Sequence, residues 1–237
     1  MTGQLTEKLM KKLLIGLLAF VFSVSSGPAA AAEEREKIHL GADLVQPLLV
    51  GMQAPDFTVR DVENKAFKFA ARTLARPVVL TFFRGGWCPY CNLHLSEMRL
   101  AERQLRDMGF DIWFISIDKP EFLLESLDDP DIGYTVFSDS SLDATRAFGL
   151  AFRVDDELNE RYLGYGIDLE KASGENHHVL PAPATYIIGT DGIINFAYIN
   201  PNYKIRLHPD VLLAAAKVYQ EDADNRLVRA YKKPADK

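Results

Sequence analysis

The chain has 237 residues, 48% hydrophobic and 25% charged, a balance that suits a globular protein with a sizeable core and excludes a disordered or fibrous one. Its net charge of −6 leaves no electrostatic footprint for nucleic acid or an anionic membrane surface. No internal repeat or long low-complexity tract divides it.

The first segment reads as an export signal. Lys8, Lys11 and Lys12 precede an apolar run over residues 13–24, Ser25-Ser26-Gly27-Pro28 breaks that run, and Ala29-Ala30-Ala31-Ala32 offers a small-residue cleavage site before Glu33. The run is shorter than the roughly 20 residues a spanning helix needs. A bacterial signal peptide over residues 1–32, periplasmic localisation and no membrane span after cleavage are therefore expected. Residues 33–50 form a polar-then-apolar lead-in, 51–222 the domain, and 223–237 a polar, partly basic tail.

Gly51-Met52-Gln53-Ala54-Pro55-Asp56-Phe57 opens the domain, and the alternation in residues 57–59 and 67–69 predicts a small edge hairpin. Residues 77–83 (PVVLTFF) are a continuous apolar run, the mark of a central strand buried on both faces. After Cys91 the pattern turns helical, with Leu95, Met98, Ala101, Leu105 and Met108 on one face and Gly109 as the stop. Residues 110–117 predict a second buried strand, joined to the first by a right-handed crossover. Asp118 starts the next helix, residues 134–137 make a short strand, and residues 138–141 cap a helix that Gly149 ends. Residues 150–180 read as a long, irregular insertion over one end of the sheet. Residues 184–189 and 193–199 form a hairpin through Asp191-Gly192. The final helix begins at Pro209 and carries Val211, Leu212, Ala215 and Val218 on its core face. Without the edge hairpin and the insertion, the order reduces to β-α-β-α-β-β-α.

The chemistry concentrates at the end of the first central strand. The only cysteines, Cys88 and Cys91, stand in Trp87-Cys88-Pro89-Tyr90-Cys91 at a strand-to-helix junction. A thiol there meets the unpaired N–H groups and the dipole of the helix N-terminus, which favour its thiolate. Pro89 fits the first turn, where its missing N–H costs nothing; Tyr90 completes a rigid spacer, and Cys91 lies one turn on, within reach of a disulfide with Cys88. A disulfide across so short a loop removes little unfolded-state entropy, so a structural staple explains the pair poorly and redox use explains it well. Cys88 is the expected nucleophile and Cys91 the resolving thiol. Trp87 covers the reactive edge, or packs as an ordinary surface aromatic. Arg84 reads first as a solvated turn residue and second as a charge that activates Cys88. Cys88, Cys91 and His94 have ligand-like spacing, but structural zinc wants four ligands and no fourth is near, so neither metal nor cofactor is expected. Haem attachment needs histidine directly after the second cysteine, where this chain has Asn92. His177-His178 reads as a polar loop.

The element order, the Cys-X-X-Cys motif and Pro183-Ala184-Thr185-Tyr186-Ile187-Ile188 resemble the thioredoxin superfamily. The resemblance implies an α/β thioredoxin-like fold, a central mixed sheet flanked by helices, with a cis-proline at Pro183 facing the cysteines and shaping a substrate groove. The domain opening, residues 82–91 (FFRGGWCPYC) and the Asp191-Gly192 hairpin resemble the peroxiredoxin-like branch of the alkyl hydroperoxide reductase/thiol-specific antioxidant family, over roughly residues 51–216. That implies an antioxidant oxidoreductase that reduces hydroperoxides and is reset by an external dithiol such as a thioredoxin-like protein. Three departures stand beside it. The Pro-x-x-x-Thr/Ser-x-x-Cys pattern of typical peroxiredoxins places Thr81 and Gly85 here, and the arginine those enzymes carry before the later strand is Pro183. Arg84, Arg153 or the backbone N–H groups of Gly86 and Trp87 are the substitutes at hand. The buried acid that thioredoxins carry six residues before the first cysteine is Phe82. The alternatives are a disulfide oxidoreductase acting on exported proteins and, against the intact Cys-X-X-Cys, a non-enzymatic thioredoxin-fold binding module.

Overall fold

The computed structural model describes residues 28–126 and 134–221. The apolar part of the expected signal peptide and the tail lie outside the described residues. The expected cleavage point near Glu33 falls within a helix, α1 (Pro28–Arg35).

The domain is built on a seven-stranded mixed sheet. Its strands are β1 (Phe57–Arg60), β2 (Ala66–Phe69), β3 (Val78–Phe82), β4 (Asp111–Ser116), β5 (Thr135–Ser138), β8 (Ala184–Ile188) and β9 (Ile194–Ile199), in the order β2-β1-β5-β4-β3-β8-β9. β3, β4 and β5 are parallel, while β8 lies antiparallel to β3, with Thr81 opposite Thr185 and Phe82 opposite Ala184. The run at 77–83 becomes a central strand with all five residues buried. Its alternation divides the core: Val78, Leu80 and Phe82 pack with Phe57, Phe69, Phe148 and Tyr186 on one side. Val79 and Phe83 face the other side with the cysteines, Leu95, Met98, Phe114 and Leu212.

The helix after the first strand, α2 (Pro89–Asp107), begins with Pro89 in its first turn and buries Leu95, Met98, Ala101 and Leu105 as the spacing predicts, together with Cys91 and His94, while Met108 is partly buried at its C-cap. Gly109, at φ 85°, ends it. The edge hairpin β1–β2 also forms as expected. The remaining helices along the chain are α3 (Pro120–Ser126), α4 (Asp143–Ala147), α5 (Asp156–Gly164), α6 (Leu169–Ser173) and α7 (Pro209–Glu221).

Several expectations are corrected. The strand and helix expected at 134–148 both form, as β5 and α4, so the core order is β-α-β-α-β-α-β-β-α, one strand–helix pair longer than the reduced order expected from the sequence. Within the expected capping segment 138–141 it is Asp139, fully buried, that caps α4, accepting hydrogen bonds from the N–H groups of Ala144 and Thr145 at 3.0 and 2.7 Å. On α7 Pro209, Leu212 and Ala216 are buried and Ala215 packs partly buried against the core, while Val211 and Val218 are 50% and 60% exposed, so the expected face is right at Leu212 and Ala215 and wrong at the two valines.

The insertion is not irregular. β6 (Ala151–Arg153) pairs antiparallel with β7 (Val179–Pro181), and α5 and α6 fill the span between them. Asp155 and Asp168 cap these helices through the N–H groups of Leu158 and Lys171. Val154, Tyr162, Leu169, Val179 and Leu180 then form their own small core with Ile117, at the end of β4, and with Trp87. The insertion thus packs against the end of the sheet that carries the cysteines.

Candidate active site

Cys88 is the N-cap residue of α2, and its carbonyl accepts from the N–H groups of Cys91 and Asn92 at 2.9 and 3.1 Å. Both cysteines are reduced and buried, 1% and 0% exposed. Their thiols are driven apart. A hydrogen bond from the Cys91 side chain, followed by the charges of Arg84 and Arg206, outweighs burial and brings Cys88 down to about 6. At neutral pH about nine-tenths of Cys88 is then thiolate. Cys91 is pushed up, first by burial and then by its hydrogen bond to the Cys88 thiolate. One thiol is ionised and the other holds its proton toward it.

The turn before Cys88 is fixed by an acid. Asp118, expected to start a helix, instead turns inward and is fully buried. Its carboxylate accepts from Gly86 N–H at 2.7 Å and from the Trp87 indole N–H at 3.2 Å. Gly85 is required beside it, because a Cβ there would lie 2.7 Å from Asp118 Oδ1. Burial, opposed by those two donors and reinforced by the Cys88 charge, pushes Asp118 up to about 7. The strand that replaces the thioredoxin acid with Phe82 therefore has a buried carboxyl group after all, supplied by the end of the neighbouring strand.

Arg84 is not a solvated turn residue. It is 3% exposed and lies over the rings of Tyr203, Trp87 and Tyr162 at 4.0, 5.0 and 5.3 Å, and it donates a hydrogen bond to the Tyr162 hydroxyl. The insertion thus supplies Tyr162 as part of the wall that holds the charge beside Cys88. Two of the other candidate substitutes are committed elsewhere: Arg153 is exposed and donates to the His177 carbonyl, and Gly86 N–H is taken by Asp118.

Trp87 is half-buried between Arg84 and the insertion, while Pro89 and Tyr90 are exposed beside Cys88, with Tyr90 edge-on to Tyr203 at 5.6 Å. Pro183 is buried and lines a small pocket with His94 and Arg206. Its preceding peptide bond is trans, as are all among the described residues, so the cis-proline expected of Pro183 is corrected. Pro183 stands between β7, which ends at Pro181, and β8, which begins at Ala184, and its carbonyl accepts from Asn200 N–H at 3.1 Å.

Sequence reasoning missed Arg206. It stands before α7, far from the cysteines in the chain, and its Nη2 donates to Cys91 Sγ at 3.1 Å. No local pattern marks it, since only the return of the chain along α2 brings it there. His94 was weighed only as a metal ligand; it is buried, and desolvation followed by the Arg206 charge lowers it to about 4. Among the described residues no group of three or more His, Cys, Asp or Glu side chains could hold a metal ion. His177 and His178 engage the Ser140 carbonyl and the Glu170 carboxylate.

A model of the AhpC/TSA family matches residues 50–197, more than half of the chain. The chain belongs to this family. A putative peroxiredoxin Bcp of Haemophilus influenzae is 26% identical over 106 residues, which cover 45% of this chain and 68% of that protein. The thiol-disulfide oxidoreductase ResA of Bacillus thuringiensis is 22% identical over 148 residues, 62% of this chain and 68% of that protein. Among solved structures, peroxidoxin BcpB of Mycobacterium tuberculosis superimposes with a TM-score of 0.55 at 18% identity, over 71% of this chain and 96% of that one. A thiol peroxidase of Chromobacterium violaceum gives 0.53 at 13% identity, over 78% and 95%. These superpositions establish the thioredoxin-like fold that the peroxiredoxin-like members share.

Proposed function

We propose that Cys88 and Cys91 run a dithiol–disulfide cycle whose substrate is a hydroperoxide. The protein is a thiol-dependent oxidoreductase of the AhpC/TSA family; its substrate and the roles of individual residues are what is proposed. The observation that carries the reading is a sulfur that is at once ionised near neutrality and 1% exposed. A peroxide group is small enough to reach such a sulfur as it stands, whereas a protein thiol or disulfide reaches it only after the surface around it moves.

In this cycle the Cys88 thiolate attacks a peroxide oxygen, the O–O bond breaks, and Cys88 becomes a sulfenic acid while the other oxygen leaves and is protonated. Cys91 then attacks the Cys88 sulfur, the sulfenic oxygen leaves as water, and the Cys88–Cys91 disulfide forms. An external dithiol, expected to be a thioredoxin-like protein, returns both to thiols. Arg84 favours the thiolate and Arg206 favours ionisation of Cys91. Trp87, Pro89, Tyr90 and Pro183 shape the approach.

The second reading is disulfide exchange with other exported proteins. It is favoured by Gly85 in place of the usual hydroxyl residue and by the similarity to ResA. Export, a signal peptide over residues 1–32 and a domain spanning 51–222 belong with this proposal; the first two rest on the charge and hydropathy of the N-terminal sequence, and the domain bounds on the element pattern that follows it. The deciding experiment compares hydrogen peroxide consumption with insulin disulfide reduction under one dithiol donor. Rapid peroxide turnover is expected. Fast insulin reduction, with peroxide handled no better than by a free thiol, would replace the first reading with the second.

A further inference from the structure

Beside Arg206, the residue that touches Cys91, lies a small pocket that the cycle above leaves unused; its lining is mainly apolar, with a few polar side chains. Its lining includes His94, Arg206, Thr81, Thr185 and Tyr198, and its volume of about 10 Å³ suits a single water molecule. Two lining residues carry buried polar atoms without a hydrogen-bond partner, His94 Nε2 and Arg206 Nε, and His94 itself is 3% exposed. The two atoms are chemically complementary. A backbone hydrogen bond at Leu207 raises the proton affinity of the His94 ring, so the ring donates through Nδ1 and leaves Nε2 as an acceptor. The Arg206 Nε–H can only donate. The hydroxyls of Thr81 and Thr185, 3.1 Å apart, add further polar atoms to the same lining. An ordered water needs two to four such partners.

We propose that this pocket is a one-water site in which the water accepts from Arg206 Nε and donates to His94 Nε2, so that His94 positions the Arg206 guanidinium against the Cys91 sulfur. Arg206 reaches Cys91 Sγ through Nη2, leaving Nε for the water. Within the lining, Arg206 is the one charged group and Tyr198 the one other titratable group beside His94. Burial and the Arg206 charge keep the imidazole neutral, which preserves its acceptor at physiological pH. The role is positioning, not proton transfer: without the water, the guanidinium loses its anchor and Cys91 loses the charge that helps it ionise.

The inference rests on Cys91 being the resolving thiol, and dithiobis(nitrobenzoate) separates the two questions. The Cys88 thiolate breaks the probe's S–S bond, forms a mixed disulfide and releases one coloured thiolate. Cys91 then gives its proton to solvent, bonds to Cys88 and releases the second, so the two-electron oxidation of the pair balances the reduction of one probe to two thiolates. In His94→Leu the first release should stay within about threefold of the wild type. The second should slow about tenfold, with its pH profile displaced upward by about one unit. His94→Gln, whose amide oxygen can accept from the water, should restore most of the rate. Equal slowing of both releases, or an unmoved pH profile, would mean that His94 only fills space and would overturn the proposal. A second release that persists in Cys91→Ser would instead overturn the resolving role. A high-resolution crystal structure of the reduced full chain should show the bridging water and needs no variant; a dry pocket there would also overturn it.

Discussion

Cys88 and Cys91 are one helical turn apart, yet their surroundings push them in opposite directions. Cys88 stands at the helix mouth beside Arg84, accepts a hydrogen bond from its neighbour, and is lowered to about 6. Cys91 lies inside the first turn, more deeply desolvated, and is raised although Arg206 touches it. The difference teaches that the motif does not by itself assign the roles of its two thiols. They follow from which sulfur receives the hydrogen bond and which is withdrawn further from water.

The comparison breaks most sharply at the sulfurs themselves. Cys88→Ser should reduce turnover to the uncatalysed rate. Cys91→Ser should permit one oxidation and then trap a sulfenic acid or mixed disulfide on Cys88, visible by mass spectrometry; continued turnover in Cys88→Ser would refute the assignment. Next in size is the charge beside Cys88. Iodoacetamide alkylation of Cys88 in the wild type should rise with pH around a midpoint near 6, because the thiolate is the nucleophile and is lost below that value. In Arg84→Met the midpoint should move up by about one unit. A midpoint in the range of an ordinary free thiol in the wild type would remove the electrostatic account.

A smaller effect tests the insertion. Tyr162→Phe deletes the hydroxyl that accepts from Arg84 and should cost roughly 1 kcal/mol of stability, with a modest rise in the alkylation midpoint. An unchanged midpoint would make Tyr162 a packing residue only. The smallest effect is on stability against pH. His94 has a folded value of about 4, below its ordinary 6.5, so the unfolded chain takes up the proton first as pH falls. Stability from this group is intact above about 6.5 and declines toward 4. At pH 5.5 the wild type should have lost about 1 kcal/mol relative to His94→Gln, compared with their difference at pH 8, by urea titration. A difference independent of pH would show that His94 titrates normally.

Much of the frame was legible because it is local. A short, valine- and phenylalanine-rich apolar run between Pro77 and Gly85-Gly86 reads as a strand buried on both faces, and apolar spacing fixed the core face of the helix after Cys91. On the last helix the spacing places Leu212 and Ala215 correctly but not Val211 and Val218, because a helix with apolar residues on several sides takes its orientation from what it packs against. The insertion seemed irregular because two three-residue strands are too short to show an alternation.

The sequence by itself settled that two thiols meet a helix N-terminus after a central strand, since adjacent residues dictate that junction. Only the tertiary structure decided what surrounds them. Arg84 turns inward because the rings of Tyr162 and Tyr203, both distant in the chain, receive it. Asp118 and Arg206 reach the site only when β4 is laid beside β3 and the chain returns along α2. Charge and desolvation act through space, and no spacing of letters encodes a distance that folding has yet to create.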